Sequence, residues 1–148
     1  MEIDIFSDQY FMRQAYAEAL KAFSEDEIPV GAVVVSRNRI IGRAYNQTEK
    51  LTDVTAHAEM LAITSASSYL GAKYLKDCTL YVTLEPCPMC AGALFWSQIS
   101  KVVYAAGDLK RGFMEHGGEL HPKTEIIQGP MEAESAELLR KFFKKRRA

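Results

Sequence analysis

The sequence has no uninterrupted apolar run long enough to span a bilayer, and its first residues, MEIDIFSDQYFMRQ, place no basic segment ahead of an apolar one. Neither a membrane span nor a secretory leader is expected, and the chain is expected in the cytoplasm. Cysteine is scarce and odd in number, three residues in all. That argues against a disulfide framework and leaves metal binding, reactivity or simple burial for the thiols. Charge of one sign is lacking too: the formal net charge is −1. No global field therefore advertises nucleic acid, although a local basic patch could serve one. No internal repeat, low-complexity stretch or linker divides the chain. Its 148 residues, 48% hydrophobic and 25% charged, suit a single domain over 1–148 that buries roughly 70% of its unfolded surface.

What is present reads as alternating helices and strands. Asp8 can cap a helix over 8–23, with Met12, Ala15, Ala19 and Phe23 on one stripe. Residues 30–35 and 39–45 read as a hairpin turning at Arg37 and Asn38. The first of these strands is almost wholly apolar, as for a strand covered on both faces. A polar loop over 46–53 leads to a helix over 56–69, with Gly71 placed to stop it. TLYVT (79–83) is a strand, Pro88 suits the first turn of a helix over 89–96, and 101–105 is another buried-type strand. A long loop over 106–123 precedes a strand at 124–128 and a helix over 131–147; loops of that length are often functional. This order predicts a three-layer α/β/α sandwich.

Two short segments carry the chemistry. TAHAEM (55–60) opens the second helix, and PCPMC (86–90) opens the third. His57, Cys87 and Cys90 can thus converge where two helix N-termini favour negative charge, which suits thiolates. Cys87 and Cys90, at i and i+3, share one face. A CxxC alone leaves a disulfide, a redox pair, a structural zinc and a catalytic zinc open. With the histidine added, nitrogen and sulfur donors suit zinc, and three ligands leave a fourth position for water. The remaining thiol, Cys78, precedes a strand and reads as a buried apolar residue. Glu59 lies two residues past His57. On a regular helix it would point away; at a first turn both can face one pocket, where Glu59 could carry a proton. Its plainer reading is an acid that favours the helix dipole.

The combined pattern H-x-E…P-C-x-x-C is the signature of zinc nucleobase deaminases. The whole chain resembles the bacterial tRNA-specific adenosine deaminases of the cytidine deaminase-like superfamily, through PVGAVVV, AYN, DVTAHAE, TLYVTLEPCPMCAGAL, KVVYAAGD and FFKKRR. The resemblance implies a three-layer α/β/α fold around a five-stranded mixed sheet, a zinc ion in each subunit, a homodimer, and deamination of adenosine to inosine at the wobble position of a tRNA anticodon stem-loop. It places zinc on His57, Cys87 and Cys90 and proton transfer on Glu59. It matches Asn46 to a base-binding asparagine, Val30 and Leu84 to pocket walls, and Asp108 to an aspartate in a loop that touches the anticodon. Taken alone, Asn46 reads as a turn former, Val30 and Leu84 as core, and Asp108 as a cap.

There are departures from the pattern. Val54 stands where many members have proline, and the loop after Asp108 is shorter than in some. PCPMC and Trp96 also resemble bacterial guanine deaminases, so a free base or nucleoside remains the alternative substrate. A third possibility is a non-catalytic RNA-binding module that keeps its metal for stability; a structural zinc has no need of Glu59. The run 144–147 follows two phenylalanines. The resemblance assigns RNA contact to Phe143, Lys145, Arg146 and Arg147, whereas the residues alone read as cations complementing a helix end, with phenylalanine in the core. Leu94, Phe95 and Trp96 offer more apolar bulk than a short surface helix needs, the mark of an interface.

Overall fold

Strand β1 (Gly31–Ser36) shows how the layers form. Its side chains alternate between two apolar clusters. Ala32 and Val34 join Ala58, Ala62, Leu80, Val82, Leu94 and Val102 on one side. Val33 and Val35 join Phe11, Met12, Ala15, Tyr81, Val103 and Ala105 on the other. A strand covered on both faces has no solvent side to keep polar, which is why the sequence reads as an unbroken apolar run. The structure is a computed structural model and describes residues 6–147. The first five residues and Ala148, which bear on the readings of the chain start and of the domain limits, lie outside the described residues.

The sheet has five strands in the order β2-β1-β3-β4-β5, with β2 (Arg39–Tyr45), β3 (Cys78–Leu84), β4 (Lys101–Ala106) and β5 (Glu125–Gln128). β1 pairs antiparallel with both β2 and β3, while β3, β4 and β5 run parallel, so the sheet is mixed. The hairpin turns where expected: Arg37 and Asn38 both have positive φ, the type I′ geometry that matches strand twist.

Helices α1 (Asp8–Ser24) and α5 (Glu132–Arg147) pack on one face; α2 (Ala58–Leu70) and α3 (Pro88–Ser97) pack on the other. Two glycines permit the close approach. A Cβ on Gly31 would overlap the Ala15 carbonyl of α1, and one on Gly42 would come within 2.6 Å of the Ala62 carbonyl of α2. Gly71 closes α2 in the left-handed conformation, as read from the sequence.

Three local expectations are corrected. The cap of α1 is Ser7, whose Oγ accepts from the Tyr10 amide at 3.1 Å. Asp8 is already helical, and its carboxylate accepts instead from the Tyr81 hydroxyl at 2.6 Å. The stripe on α1 is buried at Met12, Ala15 and Ala19, but Phe23 is only half-buried and lies edge-on to Phe142. Within the expected loop over 106–123 sits a short helix, α4 (Phe113–His116). No helix among the described residues is long and apolar enough to cross a membrane.

Candidate active site

The N-termini of α2 and α3 meet beside the ends of β2, β3 and β4. His57 is the cap residue of α2, with extended backbone (φ −74°, ψ 153°). It is therefore not on the helix proper, and the i, i+2 objection to pairing it with Glu59 disappears. Cys87 caps α3 in the same way, Pro88 takes the first helical position, and Cys90 follows one turn on. The Cys87 and Cys90 sulfurs lie 3.6 and 3.5 Å from His57 Nδ1. Zinc bonds of about 2.3 Å to sulfur and about 2.0–2.1 Å to nitrogen, meeting at the tetrahedral angle, would separate the two atoms by about 3.6 Å. The donor set therefore fits zinc in both chemistry and spacing. All three donor atoms lie within 4.8 Å of one another, the only such cluster of three or more among the described residues. Cys78 is buried elsewhere in the core, its Sγ turned to the Lys76 carbonyl.

The donors share a proton. A hydrogen bond from the Cys90 thiol, aided by His57 and opposed by burial, holds Cys87 down to about 4. The same bond and burial push Cys90 up. The bond to Cys87 raises His57 against the pull of burial. A divalent cation among the three would displace that proton, as metal binding to thiols generally does. Glu59 is buried in the first turn of α2, and burial above all raises its carboxyl to about 7.

His57, Glu59 and Cys87 line a pocket of about 880 Å³, with Cys90 buried directly behind them. Val30 and Leu84 line it, as do Asn46, Asp108 and Phe143. Several of these side chains also do the plainer work the sequence allowed. Val30 and Leu84 pack on the core. Asn46 is buried; its Nδ2 donates to the Ile28 carbonyl at 3.2 Å and its Oδ1 accepts from the Thr48 amide at 3.4 Å. One amide hydrogen and one lone pair remain for a ligand. Asp108 Oδ1 accepts from the amides of Lys110 and Arg111, both at 3.1 Å. Val54, at the proline position, is an exposed part of the pocket wall.

The basic tail divides. Lys144 and Arg147 line the pocket together with Arg140, Leu139, Ala136 and Phe143. Lys145 and Arg146 turn the other way: Lys145 lies over the Phe23 ring and 4.0 Å from the Asp26 carboxylate. Arg146 lies over Phe142 and bonds the Asp26 carbonyl. Phe142 is core, as the residues alone implied. Sequence reasoning missed Arg140 and the pocket-facing place of Lys144. The signal was there: 136, 140, 143, 144 and 147 form one stripe at helical spacing. It also missed Lys110 and Arg111, which complete the cationic rim, and the buried Glu85 on the pocket wall. His116 ends α4 and is bonded to the Leu109 carbonyl; His121 lies in the following loop and is bonded to the Lys123 amide. In α3, Leu94 is fully buried in the core, which removes it from the expected interface; Trp96 is 76% exposed.

Residues 6–106 match the family described as the cytidine and deoxycytidylate deaminase zinc-binding region. A tRNA-specific adenosine deaminase of Aquifex aeolicus (strain VF5) is 46% identical, over 94% of this chain and 95% of its own. One of Bacillus subtilis (strain 168) is 42% identical, over 95% and 91%. A solved structure from a study of A-to-I editing by tRNA:A34 deaminases superposes with a TM-score of 0.82 at 41% identity, covering 88% of this chain and 99% of that one. A guanine deaminase structure from Bacillus subtilis, also 41% identical, gives 0.66 and covers 68% of this chain and 65% of its own. The chain belongs to the zinc-binding cytidine and deoxycytidylate deaminase family, among its tRNA-specific adenosine deaminases.

Proposed function

We propose that this protein hydrolyses the C6 amino group of adenosine at the wobble position of a tRNA anticodon stem-loop, leaving inosine and ammonia. The observation that carries the reading is one pocket with two characters. Its floor presents His57 and Cys87, backed by the buried Cys90, beside the buried Glu59; its rim carries Lys110, Arg111, Arg140, Lys144 and Arg147. The floor suits deamination of a base. The rim suits a polyanion, and a free base would leave it without a task.

His57, Cys87 and Cys90 would hold one zinc per subunit, which would supply Lewis-acid activation of water. Glu59 takes a proton from the attacking water and gives it to the ring nitrogen beside C6, then carries a proton to the departing ammonia. Asn46 spends its remaining donor and acceptor on the base edge, and Val30 and Leu84 close on the base faces. Burial of Glu59 keeps bulk water from competing for its proton. Asp108 shapes the loop that meets the anticodon, and Phe143 offers a face on which a splayed neighbouring base can stack. The chain is one deaminase domain over 1–148, acts in the cytoplasm, and pairs as a homodimer through the face that bears Trp96.

The alternative is a guanine deaminase, favoured by the partial likeness to the Bacillus subtilis enzyme. Incubation with an anticodon stem-loop carrying adenosine at the wobble position, with free guanine in parallel, separates the two. Inosine in the stem-loop is expected. Efficient loss of guanine with an unchanged stem-loop would overturn the first reading in favour of the second.

A further inference from the structure

Glu85 takes no part in the chemistry above, yet it is buried at the pocket wall, where an unpartnered carboxylate would be costly. Its partners are backbone amides from one loop. Oε1 accepts from Asp108 and Oε2 from Met114, each at 3.0 Å. The same stretch is clamped through the main chain: the Glu85 amide donates to the Ala106 carbonyl at 2.8 Å, and the Phe113 amide donates to the Pro86 carbonyl at 2.9 Å. Gly112 is pressed so close that a Cβ there would overlap the Glu85 carboxylate. Residues 108–114 are thus wrapped around one side chain. Exposed on that wrapped segment, at the pocket mouth, are Lys110 and Arg111. Glu85 also stands two residues before Cys87, so the short connection from β3 to α3 carries both a zinc-type donor and the tether of the cationic loop.

We propose that Glu85 is a positioning residue for nucleic-acid specificity: by holding both ends of segment 108–114 it presents Lys110 and Arg111 to phosphates beside the reacting nucleotide. This rests on the reading of the substrate as an RNA loop. A glutamine at 85 keeps the size but offers one acceptor in place of two, and turns an amide donor toward a backbone N–H. The segment then loses one of its two end tethers while the donors of the pocket floor stay in place.

The test uses the zinc-loaded enzyme and the stem-loop. Glu85→Gln should keep its metal, and amide hydrogen exchange should quicken at 108–114. KM should rise roughly 10-fold at low salt with kcat within about threefold. The salt slope of binding should fall by about 1.4, as for two phosphates no longer gripped. The decisive comparison is a double-mutant cycle with Lys110→Ala/Arg111→Ala. If Glu85 acts through those cations, Glu85→Gln adds little in that background. Additive effects, loss of zinc, or faster exchange with unchanged KM and slope would overturn the proposal. Should Glu85→Gln not fold, normal stem-loop binding by Lys110→Ala/Arg111→Ala overturns it equally. If the wild-type enzyme leaves the stem-loop untouched, the functional reading has failed first, without any variant, and this inference falls with it.

Discussion

Arg146 donates a hydrogen bond from its guanidinium to the backbone carbonyl of Asp26 at 3.0 Å, fastening the last turn of α5 to the turn that follows α1. Lys145 reaches the same turn, so these two cations hold the helix down while their neighbours on the other face look into the pocket. Arg140→Ala/Lys144→Ala/Arg147→Ala should therefore weaken stem-loop binding and lower its salt slope by up to ~2, at ~0.7 per phosphate. Lys145→Ala/Arg146→Ala should leave the slope nearly unchanged and cost under about 1 kcal/mol of stability, since both groups are largely exposed. Binding across a salt series decides the matter. Equal slopes for the two variants would remove the division of labour.

Glu59 is not among the three donors, so its role can be separated from metal binding. Glu59→Ala should fold, retain zinc and lose about 10²–10⁴ in rate. Zinc content measured beside single-turnover rates checks this. A variant that loses its metal, or keeps near wild-type activity, contradicts the proton-carrying role.

The strands and helices were legible because periodicity reports burial, and burial on both faces of β1 leaves a plain apolar run. The donor triad was legible because His57, Cys87 and Cys90 each sit at a sequence-visible helix start. Glu85 and the two faces of α5 were not. Glu85 acts on amides of Asp108 and Met114, and a loop's path across a pocket leaves no periodic trace. On α5 the stripe 140, 143, 144 and 147 was visible, but reading 144–147 as a charge run hid it. A run of four cations on a helix must point around most of its circumference, so it could never have been one surface. Asp8 fails as the cap for a related reason: Ser7 and Asp8 are both good cap residue types, and the contact of Asp8 with the Tyr81 hydroxyl is a long-range one that local sequence does not show.

Metal removal has a directional consequence. Chelation should abolish activity, and zinc added back to the apo chain should restore it at about one per subunit. Because zinc binds the folded donor set, its addition should also raise the melting temperature of the apo protein. Cys87→Ser and His57→Ala should lose most of that shift, whereas Cys78→Ala should keep it. A full zinc-dependent shift in Cys87→Ser would refute the assignment.

Trp96 is 76% exposed, with its ring edge-on to Phe95 at 5.5 Å. Met89, on the same short helix, is 37% exposed. Leu94 no longer contributes, since it is spent in the core. The exposed apolar surface of α3 therefore narrows to Trp96 and Met89 beside the half-buried Phe95. A large aromatic of this kind is the side chain most often found as an energetic anchor in interfaces. Trp96→Ala should leave the monomer fold intact, because an exposed ring lends it little. It should weaken self-association by at least ~2 kcal/mol, about 30-fold in Kd. Sedimentation equilibrium of wild type and variant over a micromolar range measures this directly. Wild-type protein that is monomeric throughout that range, or a variant that dimerises as well as wild type, would show that α3 does not carry the interface.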